Sequence, residues 1–341
     1  MIISLLQIKL LTLYFNNKAR IRAEARILAS WWWFYDDTIK IITSNKIPKN
    51  MKRALKVSLG LLITIVLICS SCKAQKNNFF PNRTFLPALT YSATKSNPNN
   101  KILYTNDSEV SYLDSLKSKY LINFKSSKTQ IDKVLTILNW TRSQWEHRGD
   151  VSPKKNDAIS ILDEVKEGGR FPCFAYGIVL ASQLKVSGFK SRVIYLKTKD
   201  IATSMQGGGH VATEVFIDEL QKWVFVDGQF NAMPFLNNVP LNAVELQNAI
   251  RTDLNKLEFR SLDKIDKMNY TNFVQEYLFY FDCAFDQRES FMTERNKVNG
   301  KKNLMLVPLR TENPTKMLVW DLKIDYCEYT NSINDFYAKP N

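Results

Sequence analysis

Three residues, Cys173, His210 and Asp227, have the types and the surroundings needed to build a thiol nucleophile with its base and the group that orients that base. Cys173 follows Gly168-Gly169-Arg170-Phe171-Pro172 and precedes the apolar run FAYGIVLASQLKV, residues 174–186. That run is apolar nearly all round, which predicts a buried helix, and Gly188 lies just past its end, where a left-handed cap is expected. A thiol in the first turn meets the positive end of the helix dipole, which favours the reactive thiolate. A cysteine at such a place is more often a small core residue, so Cys173 alone decides nothing. His210 opens a β-like run directly after Gly207-Gly208-Gly209, a loop suited to close backbone approach and to covering a substrate. Asp227 follows the strand-like KWVFV and precedes Gly228, so it falls at the end of a strand beside the one that begins with the histidine. A nucleophilic thiol needs a base within hydrogen-bond reach, and the base needs a third group to fix its tautomer.

The elements that must position these groups are legible in part. In SKTQIDKVLTILNWTRSQWEH, residues 127–147, Ile131, Val134, Leu135, Leu138 and Trp145 follow helical spacing. A shorter helix is expected over 157–167, stopped by Gly168-Gly169. Ser191–Leu196 is rich in β-formers. Val211–Ile217 and Lys222–Val226, joined by the turn at 218–221, read as an antiparallel hairpin. Pro240 opens a further helix that runs to Arg251. Residues 268–286 are aromatic and fit either helix or strand, while Leu304–Leu309 and Met317–Ile324 read as β-runs that close the chain.

The order Cys on a helix, a strand, His opening a strand and Asp closing the next resembles the transglutaminase-like superfamily of papain-like folds, over residues 127–235. The resemblance rests on GGRFPCFAYGIVLASQLKVSGFKSRVIYL with Cys173, HVATEVFI with His210 and Glu214, and KWVFVDGQFN with Trp223 and Asp227. Thr213 stands where that family often has an aromatic residue, and Gly228 where proline often follows the aspartate. The resemblance implies an α+β fold in which the Cys-bearing helix packs on an antiparallel sheet that carries His and Asp. It also implies a Cys173–His210–Asp227 triad that attacks peptide amides through a thioester. Water as acceptor would make the protein a protease or amidase, and an amine would make it a cross-linking acyltransferase. The backbone N–H of Cys173 would supply one oxyanion donor, with the second unplaced. Trp140, Trp145, Tyr176 and Gly209 are the candidate cleft residues, although aromatic residues at such spacing more often belong to the core. The competing expectation is a catalytically silent lipoprotein of the same fold that binds or scaffolds.

Composition narrows the classes. With 341 residues, 45% hydrophobic and 23% charged, the chain is neither disordered nor collagen-like. Residues 1–71 carry 11 basic against 3 acidic residues, leaving 36 against 30 in the other 270, with no basic stripe interleaved with aromatics. No nucleic-acid partner is therefore expected. With two histidines, His147 and His210, and no Cys-x-x-Cys pair, neither a metal nor a cofactor is expected. Residues 51–72, MKRALKVSLGLLITIVLICSSC, have a basic start and an apolar stretch too short for a bilayer span of roughly 20 residues. Small residues before Cys72 resemble a bacterial lipoprotein signal with Cys72 lipidated, although Cys69 holds the place usual for leucine; an uncleaved membrane anchor is the alternative. The expected location is the bacterial cell envelope, lipid-anchored on the periplasmic or outer surface, with a peptide or protein substrate. Residues 1–50 read as a start-site artefact or unstructured, 51–72 as the signal peptide and 73–126 as tether and N-terminal extension. Residues 127–251 read as the catalytic core and 252–341 as a C-terminal extension with closing strands. Cys283 and Cys327 could pair in an oxidising compartment.

Overall fold

The protein is seen in a computed structural model that describes residues 87–340, except 95, 96, 98, 105, 106, 206, 207, 263, 264 and 290–294. These belong to the second of the chain's two units, Pro81–Asn341. The signal-like segment, Cys72 and residues 1–50 lie outside the described residues. Among the described residues, no helix is long and apolar enough to cross a membrane.

Four helices precede the main sheet: α1 (Val110–Lys119), α2 (Gln130–Ser143), α3 (Ala158–Lys166) and α4 (Cys173–Val186). Only α1 has no counterpart in the sequence reading. A reciprocal capping box starts α2, in which Asp132 N–H donates to Thr129 Oγ1 at 3.1 Å and Thr129 N–H donates to Asp132 Oδ2 at 3.0 Å. At the end of α3, Gly168 takes φ +93°, and Gly169 N–H donates to Glu164 O at 2.8 Å. A Cβ on Gly169 would lie 2.7 Å from that same carbonyl oxygen, so the turn that delivers Cys173 requires glycine there. Helix α4 buries Ala175, Tyr176, Val179, Leu180 and Leu184, as its all-round apolar sequence demands, and ends at Gly188 with φ +86°.

The main sheet is six-stranded, built from β1 (Ser191–Lys197), β2 (Gly209–Ile217), β3 (Lys222–Val226), β7 (Tyr280–Ala284), β8 (Asn303–Leu306) and β11 (Cys327–Thr330). Its order is β11-β8-β7-β1-β2-β3, antiparallel except for the β11–β8 pair. The hairpin β2–β3 turns through a 3₁₀ segment, Asp218–Leu220, and a left-handed Gln221 at φ +52°. Alternation along β2 sorts its side chains onto two faces. Thr213 Oγ1 donates to Gly177 O at 3.2 Å, and a Cβ on Gly177 would meet Val211 Cγ1 at 3.0 Å, so the odd-numbered residues face α4. The even-numbered ones, His210 and Ala212 among them, face a second layer in which Ala212 joins Phe225, Tyr270, Val274, Leu278 and Phe281. A small sheet of β4 (Met233–Leu236), β5 (Val239–Pro240) and β6 (Leu257–Arg260), with α5 (Ala243–Thr252) and α6 (Lys267–Val274), completes that layer. The architecture is α+β, with the Cys-bearing helix on a largely antiparallel sheet.

Two expectations need correction. The run Met317–Ile324 is not one strand. It is β9 (Lys316–Met317), a 3₁₀ turn Leu318–Trp320 and β10 (Leu322–Lys323), because Asp321 takes φ +47° and folds the run into a small hairpin. Cys283 and Cys327 do not pair. Leu304 of β8 is paired to Cys283 on one side and to Glu328 on the other, so a whole strand separates the two cysteines. Two strand spacings, about 9.5 Å, exceed the reach of a disulfide. Cys283 is instead a buried thiol, which burial pushes up to about 12. The last helix, α7 (Ile333–Phe336), lies at the end of the described chain.

Candidate active site

Cys173 is the first residue of α4, and Pro172 precedes it as an N-cap without a side-chain bond to the helix. The first-turn amide of Cys173 is thereby not closed by a cap. Cys173 is a half-buried residue and is not in a disulfide. Two donors from the loop after α2 fix the carbonyl of Phe171, two residues earlier: Trp145 Nε1–H at 3.1 Å and Arg148 N–H at 3.2 Å. Trp145 is stacked on Tyr176 with ring centroids 4.1 Å apart, and Tyr176 Oη–H donates to Trp145 O at 2.6 Å. Trp145 is 5% exposed and Tyr176 is wholly buried, so these two candidates underlie the Cys173 turn and do not face an open cleft. Trp140 is likewise packed between two parts of the core. Gly209 lies under an exposed indole, where an added Cβ would touch Trp320 at 3.2 Å.

His210 is the second residue of β2, is 2% exposed, and presents Nε2 to Asp227 Oδ2 at 2.8 Å. The Cys173 sulfur acts on the same ring, as one of the groups that raise its proton affinity. Because Nε2 is taken by the carboxylate, Nδ1 is the ring nitrogen left for the sulfur. The structure thus brings together the three residues that the sequence singled out: Cys173 from α4, His210 from β2 and Asp227 from just past β3. Burial alone would drive the imidazole neutral. The Asp227 carboxylate, its hydrogen bond and the Cys173 sulfur outweigh burial and push the histidine up to about 9.

Asp227 is held from four directions. Besides His210, Oδ2 accepts from Tyr270 Oη–H at 2.9 Å, and Oδ1 accepts from the N–H groups of Gln229 at 3.0 Å and Phe230 at 3.2 Å. Sequence reasoning missed Tyr270. It also missed the aromatic residues around the imidazole, where Phe273, Tyr277 and Phe230 have ring centroids 5.1, 5.9 and 6.0 Å from that of His210. A signal was there: 270, 273 and 277 repeat at helical spacing inside the stretch that read as ambiguous. The other histidine, His147, stands on the loop after α2 and is pushed below its ordinary value by partial burial and then by the charge of His210. Glu214, four residues past His210, is not in the site: its carboxylate is fully buried against Arg192, with Oε2 2.6 Å from Nη2.

Residues 119–228 match the family model described as the transglutaminase-like superfamily, a span that begins at the last residue of α1 and ends one residue after Asp227. No curated protein matches the chain. Among solved structures, the chain is similar to a Cytophaga hutchinsonii protein described as a candidate cysteine protease, at 14% identity over 46% of this chain, with a TM-score of 0.29. The chain spans about half of that protein, 52%.

Proposed function

We propose that the transglutaminase-like core in residues 119–228 is a thiol-dependent acyl-transfer centre acting on peptide amide bonds. The observation that carries this reading is the buried His210 Nε2–Asp227 Oδ2 hydrogen bond of 2.8 Å, on an imidazole whose proton affinity the Cys173 sulfur at the first turn of α4 helps to raise. The Cys173 sulfur attacks the amide carbonyl carbon, and the C–S bond forms as the carbonyl electrons move to oxygen. His210 holds the proton taken from the thiol and delivers it to the leaving nitrogen as the C–N bond breaks, leaving a thioester. Water or an amine then loses a proton to His210, attacks the thioester carbon and returns the thiolate. Asp227 keeps the imidazole in one tautomer and stabilises its cation throughout. Export through the 51–72 segment, with a lipid on Cys72, would set this centre on a membrane surface in the cell envelope.

Intact-mass labelling of residues 73–341 with iodoacetamide across pH 5–9, beside Cys173→Ala and His210→Ala, tests the catalytic reading. Fast labelling at low pH that needs Cys173 and slows without His210 is the expected result. Labelling no faster than that of a free thiol would leave a binding or scaffolding protein on the same fold. The anchor is tested separately: incorporation of a fatty-acid label in cells should vanish in Cys72→Ala, and a labelled Cys72→Ala protein would overturn it.

A further inference from the structure

The packing of α4 on the sheet fixes what lies beside the thiol. Thr213 Oγ1–H donates to Gly177 O, and Ser191 Oγ–H, on the register partner of Val215, donates to Ala181 O at 2.8 Å. Four residues of α4, about 6 Å of helix, therefore run alongside two residues of β2, about 7 Å of strand, in the same direction. One turn back from Gly177 the helix begins, so Cys173 comes level with residues 209–211, where β2 starts. Gly209 is odd-numbered like Val211 and Thr213, so the side-chain position it leaves empty is on the same face of the sheet as α4. An indole fills that position: a Cβ on Gly209 would lie 3.2 Å from Trp320 Cη2 and 3.4 Å from Cζ3.

Trp320 comes from outside residues 119–228. It ends the 3₁₀ turn between β9 and β10, just before the left-handed Asp321. The turn is held to the loop that leads into β2. Leu318 N–H donates to Ile201 O at 3.0 Å, Met317 and Ile201 share one buried cluster, and Val319 Cγ1 lies 3.9 Å from where a Cβ on Gly208 would be. The base of the hairpin is thus buried, but the ring is not. Trp320 is 56% exposed and is the one exposed tryptophan among the described residues. Leu322, two residues on, is exposed as well. An indole fixed at one edge on a glycine backbone, with the rest of its surface bare, has apolar area to give to a ligand. Lys316 and Lys323 are paired on the same hairpin, against the single acid Asp321, which disfavours a cationic occupant.

We infer that Trp320 is a substrate-binding residue, whose indole walls the acyl-donor subsite beside Cys173 and takes an apolar or aromatic side chain of the peptide next to the amide under attack. This rests on the thiol reading above, and it makes the 316–323 hairpin a specificity element supplied by the C-terminal part of the chain.

The probes are three chloromethyl ketones that alkylate a reactive thiol without turnover: acetyl-Phe-Gly, acetyl-Gly-Phe and acetyl-Gly-Gly. They are applied, with iodoacetamide alongside, to the 73–341 protein, which holds the whole described unit, and to its Trp320→Ala, Trp320→Gln and Trp320→Phe variants. The readout is the ratio of Cys173 labelling rates, Phe probe over Gly-Gly probe, so a general change in thiol reactivity cancels. The wild type should favour one of the Phe probes about tenfold. The ratio should fall to near one in Trp320→Ala and Trp320→Gln and persist in Trp320→Phe. An activated thiol that labels equally with all three ketones overturns the inference and leaves the thiol reading standing. So does a preference that survives in either Trp320→Ala or Trp320→Gln with its cooperative urea transition intact. A wild-type thiol no more reactive toward iodoacetamide than free cysteine overturns the thiol reading, and this inference with it.

Discussion

At His210 two opposing forces are resolved by one carboxylate. Burial favours a neutral ring, yet the Asp227 charge 2.8 Å away, with Cys173, holds the proton to about 9. In the proposed mechanism the imidazolium is the acid that releases the leaving amine, so any amide turnover should fall tenfold per pH unit once pH climbs through about 9. A pH–rate profile checks this, and a flat limb to pH 10 would contradict it. The same shift feeds stability: a proton bound more tightly in the folded state stabilises fully below the ordinary value of 6.5, and that stabilisation is lost as pH rises through about 9. The urea midpoint should therefore fall across that window in the wild type and fall less in His210→Ala. Asp227→Asn keeps the shape but loses the charge, and should slow acyl transfer by roughly 10³–10⁴-fold. Tyr270→Phe removes one of the four hydrogen bonds on that carboxylate and should cost only about tenfold in the same assay.

At the scale of elements, the site depends on how strands and helices are pinned to one another. Arg192 and Glu214 are both 0% exposed, with the guanidinium sandwiched between Trp223 and Phe336, each 4.5 Å away. Glu214 Oε1 also accepts from the first amide of α5, Ala243 N–H, and from Tyr337 Oη–H, both at 3.0 Å. This pair therefore ties β1, β2, α5 and the segment around Tyr337 into one piece four residues from His210. Arg192→Ala should cost about 3–5 kcal/mol by leaving a buried carboxylate unpaired, and Arg192→Met with Glu214→Leu should recover most of it; urea unfolding of the three variants measures both numbers. The helix and hairpin that bear Cys173, His210 and Asp227 were readable because burial there is periodic, all round on α4 and alternating on the hairpin. The small β4–β5–β6 sheet was not readable, since its strands are four, two and four residues long and two of them contain proline. The aromatic roof was hidden for another reason. Helix α6, a 3₁₀ turn and β7 follow one another over 267–284 with neither glycine nor proline between them, so no local signal marks where one period gives way to the next.

At the scale of the whole described unit, the segment with the family signature is not a self-sufficient body. It contributes β1, β2 and β3 to a sheet whose other three strands come from residues 280–330. Ile194, Leu196 and Ala212 are wholly buried in a cluster that also holds Phe281, Leu304, Leu306 and Phe336. Lys197 forms a buried ion pair with Asp282 of β7, and Trp223 Nε1–H donates to Ala338 O at 3.0 Å, so even polar groups of the segment find their partners in the last sixty residues. Cutting those residues away would bare one edge of β1 and the apolar face behind it, would strand Lys197 without Asp282 and would take Phe336 O from Arg192. A fragment ending at 251 should accordingly show no cooperative urea transition and should bind a dye for exposed apolar surface, while residues 87–341 unfold in a single step. A fragment that unfolds cooperatively would show that α4 and three strands suffice. The long-range contacts of the C-terminal strands would then serve the roof over His210 and not the fold beneath it.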